Sequence, residues 1–262
     1  MEGTARGTRG GADVRPSPVF LAIVAATVLC GLIAWRYADD PSRPARLAVF
    51  GFVLAAWVLS LCLHEFGHAY TAYRSGDRSV VSKGYLTLNP LKYSDIALSF
   101  VIPVVFIVLG GIGLPGGAVW IERHRIRGRL RHSLISAAGP LSNALFAIML
   151  AVLYKNFAHQ DHGVFWLAVA FLAFLQVTAA VLNLLPIPGL DGFGIIEPYL
   201  PGRLVDKVAP YGGYAFLILI ALLWLGPVNQ AFFGLIFNIT GALGLDEFPI
   251  QFGHSLFQWW NG

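Results

Sequence analysis

The chain has 262 residues, of which 56% are hydrophobic and only 12% charged, with a formal net charge of +4. Soluble domains carry about a quarter charged residues, so this balance excludes a water-soluble globular protein and predicts an all-α, polytopic membrane protein. Two cysteines, Cys30 and Cys62, lie in apolar runs and exclude a disulfide framework. The basic residues gather at the edges of apolar runs, so the lipid bilayer is the expected partner and no nucleic acid is.

Residues 1–17 are rich in Gly and Arg and read as a disordered cytoplasmic tail. Residues 18–35 form a first apolar span, with no small-residue cleavage site behind it, and are expected to remain as an anchor. A second span covers 47–73; it has no charge from 47 to 63 and then reads His64-Glu65-Phe66-Gly67-His68. The polar stretch 74–95 contains an alternating segment, 80–88, that predicts short edge strands at the membrane surface. An apolar, Gly-rich segment (96–121) and an arginine cluster (122–132) follow. Further spans are expected at 133–154, 163–185 and 210–225, with a Pro/Gly-rich loop at 186–207 and a weaker apolar stretch at 228–243. This predicts five to six transmembrane helices, a core over 47–225, and a C-terminal apolar segment and tail over 226–262, with no internal repeat and no separate soluble domain.

Loop charges predict the topology. Residues 74–95 hold Arg74, Arg78, Lys83 and Lys92; residues 122–132 hold Arg123, Arg125, Arg127, Arg129 and Arg131. A full crossing at 96–121 would put one basic group outside, against the positive-inside rule, whereas a re-entrant segment keeps both cytoplasmic. The sequence GGIGLPGG at 110–117 also fits a bend better than a straight helix. Such an element at depth must pack in protein or line a wet cavity, where its edge could receive an unwound peptide as an added strand.

HExxH on a helix puts two imidazoles on one face, where both reach one metal ion, and places the glutamate beside a metal-bound water. At the end of an apolar span, His64, Glu65 and His68 are costly side chains that call for a functional reason. A catalytic zinc usually has three protein ligands and an open position, so a third ligand is required. Candidates are Asp191, Glu197 and a distant histidine. Asp191 alone reads as an Asp-Gly turn. With a re-entrant 96–121, however, the chain crosses outward and back once and returns Asp191 to the side of His64. Glu197, followed by Pro198, reads better as a surface group. His124, His132, His159, His162 and His254 are expected in solvated loops or tails.

Four motifs together resemble the site-2 protease family, the intramembrane zinc metalloproteases. They are HEFGHAYTAYRSGD (64–77), TLNPL (87–91), GPLSN (139–143) and NLLPIPGLDG (183–192), in the family's order over 47–225. The resemblance implies that His64, His68 and Asp191 bind one Zn2+ and that Glu65 is the general base. It also implies that Asn183 meets the substrate backbone or its oxyanion, and that Gly139 to Asn143 lie on the core helix between the ligand-bearing ones. Many small bacterial members have a His and a Pro after TLNP, where this chain has Tyr93 and Ile96; no PDZ- or CBS-like insertion is visible. Asn143 reads as shaping a helix contact or lining the cavity rather than as catalytic.

The implied function is hydrolysis of a peptide bond in or near a transmembrane helix of a partner protein, in the plasma membrane, with the site near the cytoplasmic face. The competing reading is an inactive metal-binding scaffold or transporter-like protein. Glu65 favours the first, since a binding site needs ligands but no base, and a transporter would show paired repeats with broken helices.

Overall fold

The computed structural model describes residues 14–93, 104, 105, 107, 119–158 and 161–261. Helix α1 spans Pro18–Arg36, α2 Arg43–Ser75, α3 Arg129–Phe157 and α4 Gly163–Asn183. After α4 come α5 (Asp191–Ile196), α6 (Gly202–Val208), α7 (Gly212–Leu222), α8 (Gly226–Ala242) and α9 (Glu247–Phe257). Four of these helices, α1 to α4, are long and apolar enough to cross a membrane. Among the described residues, a fifth candidate crossing arises if α8 and α9, bent by 112° across a short break, count as one span. The fifth span expected at 210–225 is not a span here: α7 has 11 residues, about 16 Å of helix against a hydrocarbon core of about 30 Å.

Burial ranks the helices. Of the apolar window of α4, 83% is buried, against 11% for α1, so α4 is the axis of the bundle and α1 its outer wall. Between apolar helices in lipid there is little hydrophobic drive, and close packing of small residues takes its place. Gly51 of α2 meets the Cys30 thiol of α1, where a Cβ would come within 2.8 Å of Sγ. Gly253 of α9 lies against the Leu167 carbonyl of α4, so α9 closes the bundle beside the start of α4. Trp57, Phe171, Leu175 and Phe257 fill the space between α2, α4 and α9.

Helix direction decides what meets what. Asp39 accepts the N–H of Gly163 (2.9 Å), so α4 starts at the end of the bundle where α2 starts, and the two helices run parallel. His64 lies 21 residues after Arg43, and Asn183 lies 20 residues after Gly163. The chain beyond α4 therefore leaves its helix level with His64. Helix α3 runs antiparallel to α2, pairing Asn143 with His64 and Ile135 with His68.

The edge strands expected at 80–88 are helical turns instead, Ser79–Ser82 and Tyr85–Thr87, and no strand occurs among the described residues. The backbone explains this. Asp77 accepts the N–H of Ser79 (2.9 Å), starting the first turn, while Gly84 and Leu88 take φ values of 76° and 56° that no strand accommodates. Val80, Tyr85 and Leu86 pack on Ala69 and Ala72 of α2 rather than alternating across a pleat. His254, expected in a solvated tail, lies in α9 against the Phe171 ring (5.0 Å), with Nε2 buried. Most of the expected re-entrant segment, 96–121, lies outside the described residues.

The flanks of that segment are tied together. Asp77 also accepts the N–H of Glu122 (2.8 Å), and Lys83 donates to the Trp120 carbonyl (3.1 Å) and pairs with Glu122 (3.4 Å). Burial works to raise the Asp77 carboxyl, but hydrogen bonds from Ser79 and Glu122 and the charge of Lys83 outweigh it and hold the group below the usual carboxylate range. A depressed folded value stabilises the fold above the unfolded value of about 3.9 and is lost as pH falls through the folded one. Asp77→Ala is expected to cost about 2–4 kcal/mol at neutral pH and to speed trypsin cleavage at Arg123, Arg125 and Arg127. The stability gap to wild type should shrink once pH drops below about 4. Matching unfolding curves and cleavage rates at pH 7 would contradict this role.

Candidate metal centre

Helical periodicity brings His64 and His68 onto the inner face of α2, where both are buried together with Glu65. Their Nε2 atoms lie 3.1 Å apart. Asp191 opens α5, directly beyond the loop from α4, and reaches both rings: Oδ2 is 3.2 Å from His64 Nε2 and Oδ1 is 3.3 Å from His68 Nε2. Four-coordinate zinc, with bonds of about 2.0–2.1 Å, holds its ligand atoms about 3.3–3.4 Å apart. The three side chains therefore already stand near the separations such an ion imposes.

The chemistry of the donors supports the same reading. His68 Nδ1 lies 2.7 Å from the carbonyl of Ile135, which only accepts, so Nδ1 carries the proton and, in the neutral ring, Nε2 presents a lone pair. That lone pair faces a carboxylate oxygen and a second imidazole nitrogen. Acceptors converging in a buried site repel one another unless a cation sits between them. His64 Nδ1 is held in turn by the Asn143 side chain at 2.5 Å. Space for an ion comes from Gly139 of α3, where a Cβ would run into Nε2 of both histidines. Gly67 of α2 lets α3 approach, with the Ala138 carbonyl only 2.9 Å from where its Cβ would be.

Glu65 forms a second possible set with His64 and His68, its carboxylate lying within 4.8 Å of their nitrogens. Asp191 is the better ligand, because it bridges both Nε2 atoms at little over 3 Å. Glu65 instead keeps one oxygen, Oε2, buried and without a hydrogen-bond partner among the described residues, while the backbone N–H of Val119 meets the carboxylate. A buried carboxylate oxygen left open beside a metal centre is positioned to take a proton.

The remaining expectations sort cleanly. Glu197 pairs with Arg123 at 2.5 Å and does not join the histidine group among the described residues. Asn183 is the last residue of α4; it is buried, and its side chain has no hydrogen bond among the described residues. Tyr93 is buried, and its hydroxyl donates to the Cys62 carbonyl (3.2 Å), so this position braces α2. His162 stacks on Trp35 at the opposite end of the bundle, and His132 bonds the Ile126 carbonyl (3.1 Å). Sequence reasoning missed the work of Gly139 and of the Ile135 carbonyl. GPLSN signalled that α3 comes close, but nothing in it shows that the glycine stands over Nε2 of His64 and His68.

Comparison with known proteins agrees with this geometry. A protein of Mycolicibacterium smegmatis is 47% identical over 249 residues, covering 95% of this chain and 96% of the relative. One from Mycobacterium tuberculosis is 43% identical over the same shares, and one from Bacillus subtilis is 31% identical over 183 residues, 67% of this chain and 81% of its own. All three bear the name "Putative zinc metalloprotease", Rip2 in the two mycobacteria and YwhC in the bacillus. No family model and no solved structure matches the chain. With a buried His-Glu-His triplet and an aspartate closing on it, and with such relatives along nearly its whole length, the chain belongs to the site-2 protease family of zinc metalloproteases.

Proposed function

We propose that the protein is an intramembrane zinc endopeptidase that hydrolyses a peptide bond in or near a transmembrane helix of a partner membrane protein, as a step in regulated proteolysis. The observation that carries this reading is a single buried constellation. His64, His68 and Asp191 converge at ligand spacing, with the open Oε2 of Glu65 alongside. A scaffold that only stores metal has no use for that open carboxylate oxygen.

His64, His68 and Asp191 would hold the zinc, which would supply Lewis-acid polarisation of the scissile carbonyl and make a water at the site more acidic. Glu65 Oε2 takes a proton from the water as its oxygen adds to the carbonyl carbon. It passes that proton to the amide nitrogen as the C–N bond breaks, releasing an acid and an amine. Asn183, with its side-chain amide uncommitted, donates to the developing oxyanion. A helical substrate has its carbonyls hydrogen-bonded, so the target must unwind before it is cut.

The orientation of the site toward the cytoplasm rests on charge. The basic flanks 74–92 and 122–131 lie at the end of the bundle where α2 finishes, joined through Asp77, Lys83 and Glu122. Positive-inside orientation puts that end, and the metal centre near it, on the cytoplasmic side.

Three outcomes are expected with a model transmembrane substrate in detergent or liposomes. Glu65→Gln should keep zinc yet lose about 10²–10⁴-fold in kcat; cleavage at the wild-type rate would refute the mechanism. Gly139→Ala should abolish zinc binding, since its methyl group takes the space beside both Nε2 atoms, and metal analysis of the folded protein reads this directly. Asn183→Ala should lower kcat about 10²–10³-fold with zinc retained; a change confined to KM would move Asn183 from the oxyanion to substrate binding.

A further inference from the structure

A polar chain leads from the metal centre into the middle of the bundle. Asn143 of α3 bonds His64 Nδ1 at 2.5 Å and donates through Nδ2 to Gln176 Oε1 of α4 at 2.8 Å. Gln176 Nε2 donates to Ser60 Oγ of α2 at 2.9 Å, and the Ser60 hydroxyl donates to the Trp57 carbonyl at 2.7 Å. Ser60, Asn143 and Gln176 are each 2% exposed or less, so each must find its hydrogen-bond partners inside the bundle. Gln176 stands in a helix that is otherwise almost wholly apolar, GVFWLAVAFLAFLQVTAAVLN.

We propose that Gln176 and Ser60 are positioning residues for the metal centre. Through Asn143 they fix which nitrogen of His64 carries its proton and how its ring is turned. This rests on the zinc-site reading above and extends it to residues that touch no ligand atom.

The argument is one of polarity. Trp57 presents a carbonyl, which can only accept, so Ser60 gives it the hydroxyl proton and keeps lone pairs for an incoming donor. Gln176 must then turn its NH2 toward Ser60 and its oxygen toward Asn143. Asn143 in turn gives its NH2 to Gln176 and its oxygen to His64. An oxygen at 2.5 Å from Nδ1 requires Nδ1–H, and Nε2 is left with a bare lone pair toward Asp191. The near end demands the same polarity, since a ligating imidazole binds metal through an unprotonated nitrogen. A reversed chain would take the hydroxyl proton from the Trp57 carbonyl and point a donor at Nδ1. His68 receives the same instruction more simply, from the Ile135 carbonyl. The relay does for His64, with side chains from three helices, what one backbone carbonyl does for His68.

Simple interhelical adhesion by Gln176 is the competing account, and it would change stability but not the metal. The full chain is purified as wild type, Asn143→Leu, Gln176→Leu, Gln176→Glu and Ser60→Ala. Zinc affinity is read by competition with a chromophoric chelator, ligand geometry by the visible spectrum of the cobalt-loaded protein, and stability by thermal unfolding. Asn143→Leu and Gln176→Leu should weaken zinc binding about 10–100-fold and alter the cobalt bands. Gln176→Glu still accepts from Asn143 Nδ2, so it should recover most of that affinity although burying a carboxyl lowers its melting temperature. Ser60→Ala should fall between wild type and Gln176→Leu. Wild-type affinity and spectrum in the leucine variants overturn the proposal, as does a Gln176→Glu loss as large as that of Gln176→Leu. If the leucine variants fail to fold, unchanged affinity in Ser60→Ala overturns it as well. Wild type that binds no zinc would instead sink the metal-site reading itself.

Discussion

The close approach of α3 to α2 sets the scale of everything around the metal centre. Gly67 on one helix and Gly139 on the other remove the two side chains that would hold the backbones apart. In lipid this contact has no large hydrophobic term behind it, so fit and polar bonds must keep it. Once α3 is that near, the Ile135 carbonyl reaches one histidine and Asn143 the other. The same nearness lets α5 dock on α3, where Ser133 donates to the Ile195 carbonyl (2.6 Å) and Gly194 lies against Ser136. Asp191, at the head of α5, is carried to both rings by that docking.

Many of the buried polar groups gather around the candidate metal site. His64, Glu65, His68, Asn143, Gln176, Asn183 and Ser60 are all buried, and most of them touch one another in a chain that begins or ends at His64. Each unpaired member would carry a desolvation cost of a few kcal/mol, so the chain is either complete or a liability. Glu65 Oε2 is among the buried atoms left without a hydrogen-bond partner among the described residues, and it is the one that stands beside both histidines. A carboxylate oxygen left open next to two imidazoles is where proton transfer is expected.

At the site end, charge and hydrogen bonds join apolar packing in holding the chain. Asp77 ties the end of α2 to Glu122, Lys83 ties the following turn to Trp120, and Arg123 reaches across to Glu197 just beyond α5. The segment 119–125 is thus fastened both to the helix that carries His64 and to the element that follows Asp191. Val119 lies within that fastened stretch, with its N–H at the Glu65 carboxylate. The arginine cluster has a local structural role beside its role in membrane orientation.

Much of this was legible in the chain itself. Apolar runs marked α1 to α4 within a few residues, because a span of lipid-buried backbone must be apolar along its length. His64, Glu65 and His68 were legible because a helix places i and i+4 on one face whatever surrounds it. Loop charge and crossing parity brought Asp191 to the same end. The alternation at 80–88 misled, since backbone at positive φ and a capping Asp77 override a weak pattern over nine residues. Span 210–225 misled because hydropathy does not report where a helix breaks.

Tertiary structure alone decided the distances. No periodicity says that Gly139 faces Nε2 of two histidines, that Asn143 turns its oxygen to His64, or that Gln176 and Ser60 stand behind it. Local sequence sets the face on which a residue lies. Which residue of another helix it meets depends on the direction, level and closeness of whole helices, and those follow only from how the bundle packs.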